Sequence, residues 1–499
     1  GVEWYGTIFA VAESPKEKGL IWAGTDDGLV HLTKDGGARW TNVTANIKGL
    51  PEWGTVSLIE PSPHDAATAY AVVDAHRLDD MRPYLWKTSD YGRTWKSLAG
   101  GLPRDVYLHA VREDPKRRGQ LYLGTERGVS FSRDDGATWT VLGLNLPTVA
   151  VHDLVVKDND LVVGTHGRSI WILDDLTPIR DWSKEIADRP AHLFPAPPAI
   201  RWEYRASFAG DEVGENPPYG AVISYSLKKK TEGDGKVEIL DAGGAVVRTF
   251  TSKKEKPEQE EDDPDAPWRE SKKPVVSTEA GVQRIVWDLE YGPATKIREA
   301  KTEGNPEAAP RAVPGAYTVR LTVGDTTLTA PIEVRPDPRL SIPAADIAEQ
   351  VRFARQVQDQ VSRLAGLVAQ VRSVRDQLKV KSESLNGSGR AADWTKAAAD
   401  LVTKCDALEE KLHQPKARVE YDILAKGARL YSRISPLLGY AADGTGAPTQ
   451  GMREVFADQA RELDALETEW MTIVSGDLAA LGRKAREVNL DAVVVPAAR

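Results

Sequence analysis

The chain has 499 residues, of which 41% are hydrophobic and 28% charged, and a net charge of −9. This composition supports folded cores, about three domains at roughly 150 residues each. It lacks the run of about 18 apolar residues that a membrane-spanning helix needs, and its acidic balance argues against a general nucleic-acid binder. A single cysteine, Cys405, excludes an intramolecular disulfide framework and a cysteine-ligated zinc cluster.

Fourteen Trp against seven Phe point to a repeat that uses one Trp per unit. Three segments align on the pattern S/T-x-D-x-G-x-T/R-W. They are Thr33 to Trp40, with Asp35 and Gly37; Thr88 to Trp95, with Asp90 and Gly92; and Ser132 to Trp139, with Asp134 and Gly136. The aspartates fall 55 and 44 residues apart, blade-sized periods for a propeller of four-stranded sheets. Gly24-Thr25, Gly124-Thr125 and Gly164-Thr165 each follow an apolar run, and further β-rich runs start near Ile8, Val56, Leu108 and Val151. Each unit therefore reads as four strands, with the Asp accepting backbone N–H bonds inside its own turn, the Gly supplying a left-handed backbone and the Trp packing between blades. These nine Asp, Gly and Trp residues are expected to be structural.

The three segments resemble Asp-boxes, the bacterial neuraminidase repeats of sialidases, sortilin-type receptors and tandem-propeller xyloglucanases. The last unit, Asn145 to Leu154 followed by Gly164-Thr165-His166-Gly167-Arg168 and Asp174-Asp175, resembles the closing blade of large bacterial sortilin-like proteins often labelled glycosyl hydrolases. The resemblance implies a propeller followed by a small β-domain and a helical tail, in an exported protein that is secreted, periplasmic or on the cell surface. Three complete blades and a fourth without a clear outer strand would leave sheet edges open. The chain, which starts at Gly1 without Met, is therefore expected to be the C-terminal part of a processed precursor. Its partner would be an N-terminal propeller fragment of that precursor or a second copy.

Pro190 to Pro218 reads as an ordered, Pro-rich linker. Strand-like runs follow over residues 221–227, 236–240, 245–251, 282–289, 316–323 and 326–334, with a hairpin turn at Asp241 to Gly244. Trp287-Asp288 and Pro314 to Tyr317 resemble fibronectin-like sandwiches. Residues 253–273 carry six basic and eight acidic residues and read as a solvated loop, since calcium ligation of the EF-hand type needs alternating ligands and a glycine turn. From Ser341 the apolar period lengthens to about three and a half. Stripes run through Val361, Leu364, Val368, Val371 and Leu378; Trp394, Leu401, Cys405, Leu408 and Leu412; Leu424, Leu430, Ile434 and Leu437; and Met452, Phe456, Leu463, Leu466, Trp470 and Ile473. Four such helices predict an antiparallel bundle. The fold class is thus mainly β with an α tail. Propeller blades occupy 1–182, a linker and β-sandwich 183–340, and the bundle 341–499.

Ligands of a propeller meet the mouth of its central channel, to which the loops here contribute Asp26-Asp27, Pro51 to Trp53, His76 to Asp80, Arg104-Asp105, Glu126-Arg127 and His166 to Arg168. His109 and His152 hold matching positions at the start of adjacent inner strands, alongside Phe9 and Ser57, with Asp153, His166 and Arg168 nearby. These five residues either bind an anion or a metal, or hydrogen-bond neighbouring loops. No H-x-x-E-H pattern marks a zinc site, so neither a metal nor another cofactor is assigned, and no catalytic residue is named. Two functions remain. The first is a non-catalytic extracytoplasmic binding or scaffold protein that takes a peptide or protein, as the sortilin resemblance implies. The second is a glycoside hydrolase completed by missing blades, drawing on carboxylates such as Asp27, Asp80 and Glu126.

Overall fold

The computed structural model describes residues 5–202, 214, 216–253, 274–385, 392–487 and 490–497. Nearly all of the charged stretch 253–273, and the Gly-rich break after Leu385, lie outside the described residues. The chain divides into two compact units, Gly1–Ala187 and Asp188–Arg499. Among the described residues, no helix is long and apolar enough to cross a membrane.

The first unit is a β-propeller-like array of four antiparallel meanders. Blade 1 comprises β1 (Ile8–Glu13), β2 (Ile21–Thr25), β3 (Val30–Thr33) and β4 (Thr41–Asn42). Blade 2 has β5 (Thr55–Pro61), β6 (Ala69–Asp74), β7 (Tyr84–Thr88) and β8 (Lys96–Ser97); blade 3 has β9 (Leu108–Glu113), β10 (Leu121–Thr125), β11 (Gly128–Ser132) and β12 (Thr140–Leu142). Blade 4 is a three-stranded sheet of β13 (Val151–Lys157), β14 (Asp160–Thr165) and β15 (Ile170–Leu173), after which the chain forms the short helices α1 (Thr177–Asp181) and α2 (Lys184–Asp188). The inner strands stand side by side, β1 against β5, β5 against β9 and β9 against β13. Second strands such as Leu121–Thr125 are covered on both faces, which is why they read as unbroken apolar runs.

The repeated S/T-x-D-x-G-x-T/R-W segment forms a closed hydrogen-bonded turn. In blade 3, the Thr138 N–H and the Ser132 hydroxyl both donate to Asp134 Oδ1 at 2.8 Å, and the Gly136 N–H donates to the Ser132 hydroxyl at 2.9 Å. Blade 1 repeats this around Asp35, whose carboxyl is held down to about 2 by the Arg39 amide and guanidinium and the Thr33 hydroxyl. Blade 2 repeats it around Asp90.

The turn also docks each blade onto the one before it. Gly92 has a φ of +77° and lies against blade 1, where an added Cβ would sit 3.1 Å from Val43 Cγ2. At Gly136 the same atom would meet Leu98 of blade 2 at 2.8 Å. Trp95 meets Trp22 edge-on at 5.9 Å, and Trp139 Nε1 donates to the Leu98 carbonyl at 2.9 Å. Blade 1 lacks such a neighbour: the nearest atoms to its Gly37 belong to Trp40, which is 45% exposed.

Packing in the other direction fixes a second glycine. At Gly24 a Cβ would lie 2.5 Å from Val56 Cγ1 of blade 2, and at Gly124 2.5 Å from the Val151 carbonyl of blade 4. Gly164 of blade 4 meets only Asp153 of its own sheet, at 3.5 Å. That sheet leaves Ile170 and Ile172 exposed, as β1 leaves Phe9 and Val11.

The second unit begins with two sheets, one of β16 (Ala191–Leu193), β18 (Ala221–Leu227) and β21 (Gly281–Trp287). The other runs β17 (Ala199–Arg201), β23 (Thr326–Pro336), β22 (Gly315–Val323), β19 (Gly235–Leu240) and β20 (Val246–Thr251). Residues of both, among them Tyr225, Ile239, Trp287 and Val319, form one buried cluster. The Asp241–Gly244 turn closes as expected, with the Asp241 N–H donating to the Ala245 carbonyl. The segment read as a linker differs. Ala191–Leu193 pairs with β18, and Ala199–Arg201 pairs in parallel with β23, because Pro195 to Pro198 separates two three-residue strands too short to show a period.

The helical region contains α3 (Ala344–Ser384), α4 (Ala392–Leu412), α5 (Tyr421–Lys426), α6 (Leu430–Asp443), α7 (Gln450–Ile473) and α8 (Ala479–Glu487). The first two apolar stripes, Cys405 included, are buried in one cluster. The third is divided: Gly427 at φ +83° separates α5 from α6, and Leu424 is exposed while Leu430, Ile434 and Leu437 are buried. Glu409 is a buried charge that accepts from Arg372 Nε at 2.6 Å, Arg375 Nη1 and His413 Nε2 at 3.0 Å. Burial works against its charge, yet these partners prevail and hold the carboxyl down to about 2.

Two predictions follow from this packing. In urea unfolding of the chain alone, Trp95→Ala costs about 2–3 kcal/mol and Trp40→Ala less than about 1 kcal/mol, since Trp95 has a blade to pack on; equal costs would contradict the docking. Glu409 titrates lower in the fold than its unfolded value of 4.5. Its contribution of about 3 kcal/mol is therefore fully present above pH 4.5 and lost as pH falls toward 2. Glu409→Gln flattens that acid limb in a stability profile measured by circular dichroism.

Candidate functional site: the channel mouth

The register of the inner strands builds the site. Each inner strand carries a β-bulge at its start, between Ile8 and Ala10, Val56 and Leu58, Leu108 and Ala110, and Val151 and Asp153. The extra residue is Phe9, Ser57, His109 or His152 in turn. A bulge leaves one residue out of the ladder and re-aims its side chain. A second set of equivalent positions follows the second strand. The N–H groups of Asp26, Glu126 and His166 donate to the carbonyls of Thr7, Tyr107 and Ala150, which ties each turn to the residue that leads into the inner strand.

These two sets, with neighbouring loops, bring five rings into a row across blades 2, 3 and 4. His76 stacks on Tyr107 with centroids 4.6 Å apart, and Tyr107 meets His109 at 5.1 Å. His109 meets His152 at 4.2 Å, and His152 meets His166 at 4.5 Å. Carboxylates flank the row. Asp74 Oδ2 is 2.7 Å from His76 Nδ1, and Glu126 Oε2 is 2.9 Å from His109 Nε2. Burial opposes the charge of Glu126, but bonds from His109 and Tyr107 prevail and hold its carboxyl below the usual range. Burial and the adjacent His109 and His166 push His152 down toward its neutral form. Burial and Glu126 push the Tyr107 phenol up to about 12.

Of the five residues expected at the rim, the structure gathers His109, His152 and His166. Asp153 instead accepts from Arg112 Nη2 at 2.8 Å, while Arg112 Nη1 reaches Glu60 Oε2 at 2.7 Å and its Nε the Leu154 carbonyl at 2.6 Å. That guanidinium fastens blades 2, 3 and 4. Arg168 is exposed on the β14–β15 turn, where its N–H donates to Thr165 Oγ1 and its carbonyl accepts from Trp171 Nε1. His76 and Glu126, from loops expected at the channel mouth, join the site. Tyr107 joins it without having been singled out.

An open groove of about 590 Å³ runs along the inner strands of all four blades, lined in blades 3 and 4 by Arg112, Glu113, Pro115, Val155 and Val156 and not by the five rings. Phe9, Val11, Leu58 and Val155 give it apolar walls, and Glu13, Glu60 and Arg112 give it charge. Burial pushes the Glu60 carboxyl up, against the pull of Arg112.

No family model and no curated protein matches the chain. Among solved structures it is similar to YCF48 bound to D1 peptide, at 17% identity over 32% of this chain and 48% of that one, with a TM-score of 0.24. It is also similar to the GH74 xyloglucanase from Xanthomonas campestris, at 16% identity over 70% and 47%, with a TM-score of 0.28. A third similarity is to the computationally designed Ika4 protein, at 13% identity over 35% and 96%, with a TM-score of 0.26. The chain thus spans about half the length of YCF48 and of the xyloglucanase. Superpositions this loose carry no function across. The propeller-like reading rests on the blades themselves.

Proposed function

We propose that this chain is a non-catalytic, extracytoplasmic binding or scaffold protein that takes a peptide or protein segment in its channel. The observation that carries the reading is the groove itself, which crosses all four inner strands and is walled by Phe9, Val11, Leu58 and Val155. Apolar walls interrupted by Glu13, Glu60 and Arg112 suit an extended segment whose side chains alternate and whose backbone needs polar partners. The extracytoplasmic placement follows the Asp-box resemblance. On the same reading, the domains are propeller blades over 1–182, a fibronectin-like sandwich over 183–340 and an antiparallel bundle over 341–499. The last two would offer further surfaces to partners.

A glycosidase needs a carboxyl kept protonated near neutral pH beside an ionised one. Asp80 is held low by Arg82 and Tyr84 at 2.6 and 2.7 Å, Glu126 is held low as above, and Asp27 is engaged by Thr25. Glu60, which burial pushes up, is occupied by Arg112. These pairings favour binding over hydrolysis.

We also propose that the open Asp-box of blade 1 and the far face of blade 4 are met by further blades. These would be carried by another part of the same precursor or by a second copy. Trp40 at one end, and Ile170 and Ile172 at the other, are the residues such blades would cover.

Panning a displayed random-peptide library on the chain, with calorimetric titration of the enriched peptides, tests the binding site. The expected result is micromolar affinity that weakens at least tenfold in Phe9→Asp and Val155→Asp and is unchanged in Asp241→Asn, on a hairpin of the second unit. No enrichment, with reducing sugar released from a β-glucan panel and lost in Glu60→Gln, would overturn the reading.

A further inference from the structure

We propose that His109, Glu126 and His152 form a site for a divalent transition-metal ion, with zinc the best match, open at its remaining coordination position. The ligand atoms of the three residues all lie within 4.8 Å of one another. Such a set closes onto one ion with modest side-chain rotation, since zinc takes nitrogen and oxygen ligands at about 2.0–2.2 Å.

Three features make this more than a chance grouping. First, both imidazoles come from equivalent bulges of adjacent inner strands, so the blade register that sets β9 beside β13 sets their rings 4.2 Å apart. Second, the donors are two imidazole nitrogens and one carboxylate, a set that suits zinc, copper or nickel; calcium and magnesium would need oxygen donors. A cation would replace the contact between His109 Nε2 and Glu126 Oε2, now 2.9 Å apart. Third, an outer layer is already in place. Tyr107 hydrogen-bonds the Glu126 carboxylate and packs on His109, and His166 packs on His152 at 4.5 Å. Partners of this kind orient ligands and tune affinity.

The site needs nothing from the peptide reading, although an ion here would present an open position at the channel mouth to a carboxylate or imidazole of whatever enters. The sequence pattern does not mark the site, because its ligands come from two blades and lack the short helical spacing of familiar zinc motifs.

The test uses the untagged chain, stripped with chelator and titrated with Co²⁺ while its visible absorption is followed, then with Zn²⁺ in competition. The expected result is one ion per chain with a micromolar or lower Kd and d–d bands of a low-coordinate nitrogen/oxygen site. Affinity falls at least tenfold in His152→Ala and in Glu126→Gln, each checked for folding by circular dichroism. His64→Ala is the control, since His64 Nε2 pairs with the Asp114 carbonyl in a different loop, and it leaves binding intact. Absence of saturable Co²⁺ binding would overturn the proposal. So would binding that persists in folded His152→Ala and Glu126→Gln.

Discussion

Everything in the first unit depends on one constraint: a blade whose two faces are apolar must be covered by its neighbours. The second strands show it directly, with Leu121–Thr125 buried throughout. Two kinds of glycine permit the close approach, Gly24 and Gly124 on one side and the turn glycines Gly92 and Gly136 on the other. A Cβ would lie 2.5 Å from the next blade at Gly24 and Gly124, and 3.1 and 2.8 Å from the preceding one at Gly92 and Gly136, so packed atoms would have to shift and apolar contact would be weakened. The repeated Asp turn is therefore both a turn and a dock. Its hydrogen bonds fix the Gly and the Trp at the spacing the preceding blade requires.

The channel mouth is a consequence of that packing. Inner strands held side by side bring their bulges together, and whatever occupies the bulge points to the rim. Here that places His109 and His152 ring against ring, with Glu126 and His166 supplied from the turns. Charge is used differently further along. Arg112 is shared between Glu60 and Asp153 as a fastener across three blades, where an unpaired buried charge would be costly. The Glu409 cluster does the same for the helices.

How much of this could be read in the sequence follows from the range of the interactions. The repeated Asp turn was legible because its hydrogen bonds run between residues two and four apart, which fixes Ser/Thr, Asp and Gly at set spacing. The long apolar stripes of α3 and α4 were legible for the same reason. Ala191–Leu193 and Ala199–Arg201 were not, because three residues beside prolines carry no period and gain their structure from β18 and β23. The split between α5 and α6 turns on one left-handed glycine, Gly427. At the site, the equivalence of His109 and His152 was visible from strand alignment. Tyr107 was not, because it meets His76 across blades. Asp153 sits beside the expected cluster in sequence, but its carboxylate goes to Arg112, a partner 41 residues away.

Among the described residues, Trp40 has no preceding blade of the kind that Trp95 and Trp139 pack on, and Ile170 and Ile172 have no following one, so the same constraint leaves these faces uncovered. Native mass spectrometry of the protein isolated from its source, followed by denaturing mass measurement of its components, tests this most directly. The account predicts an assembly heavier than the 54.6 kDa chain, containing additional blades or a second copy that covers both faces. A lone species of that mass would contradict it.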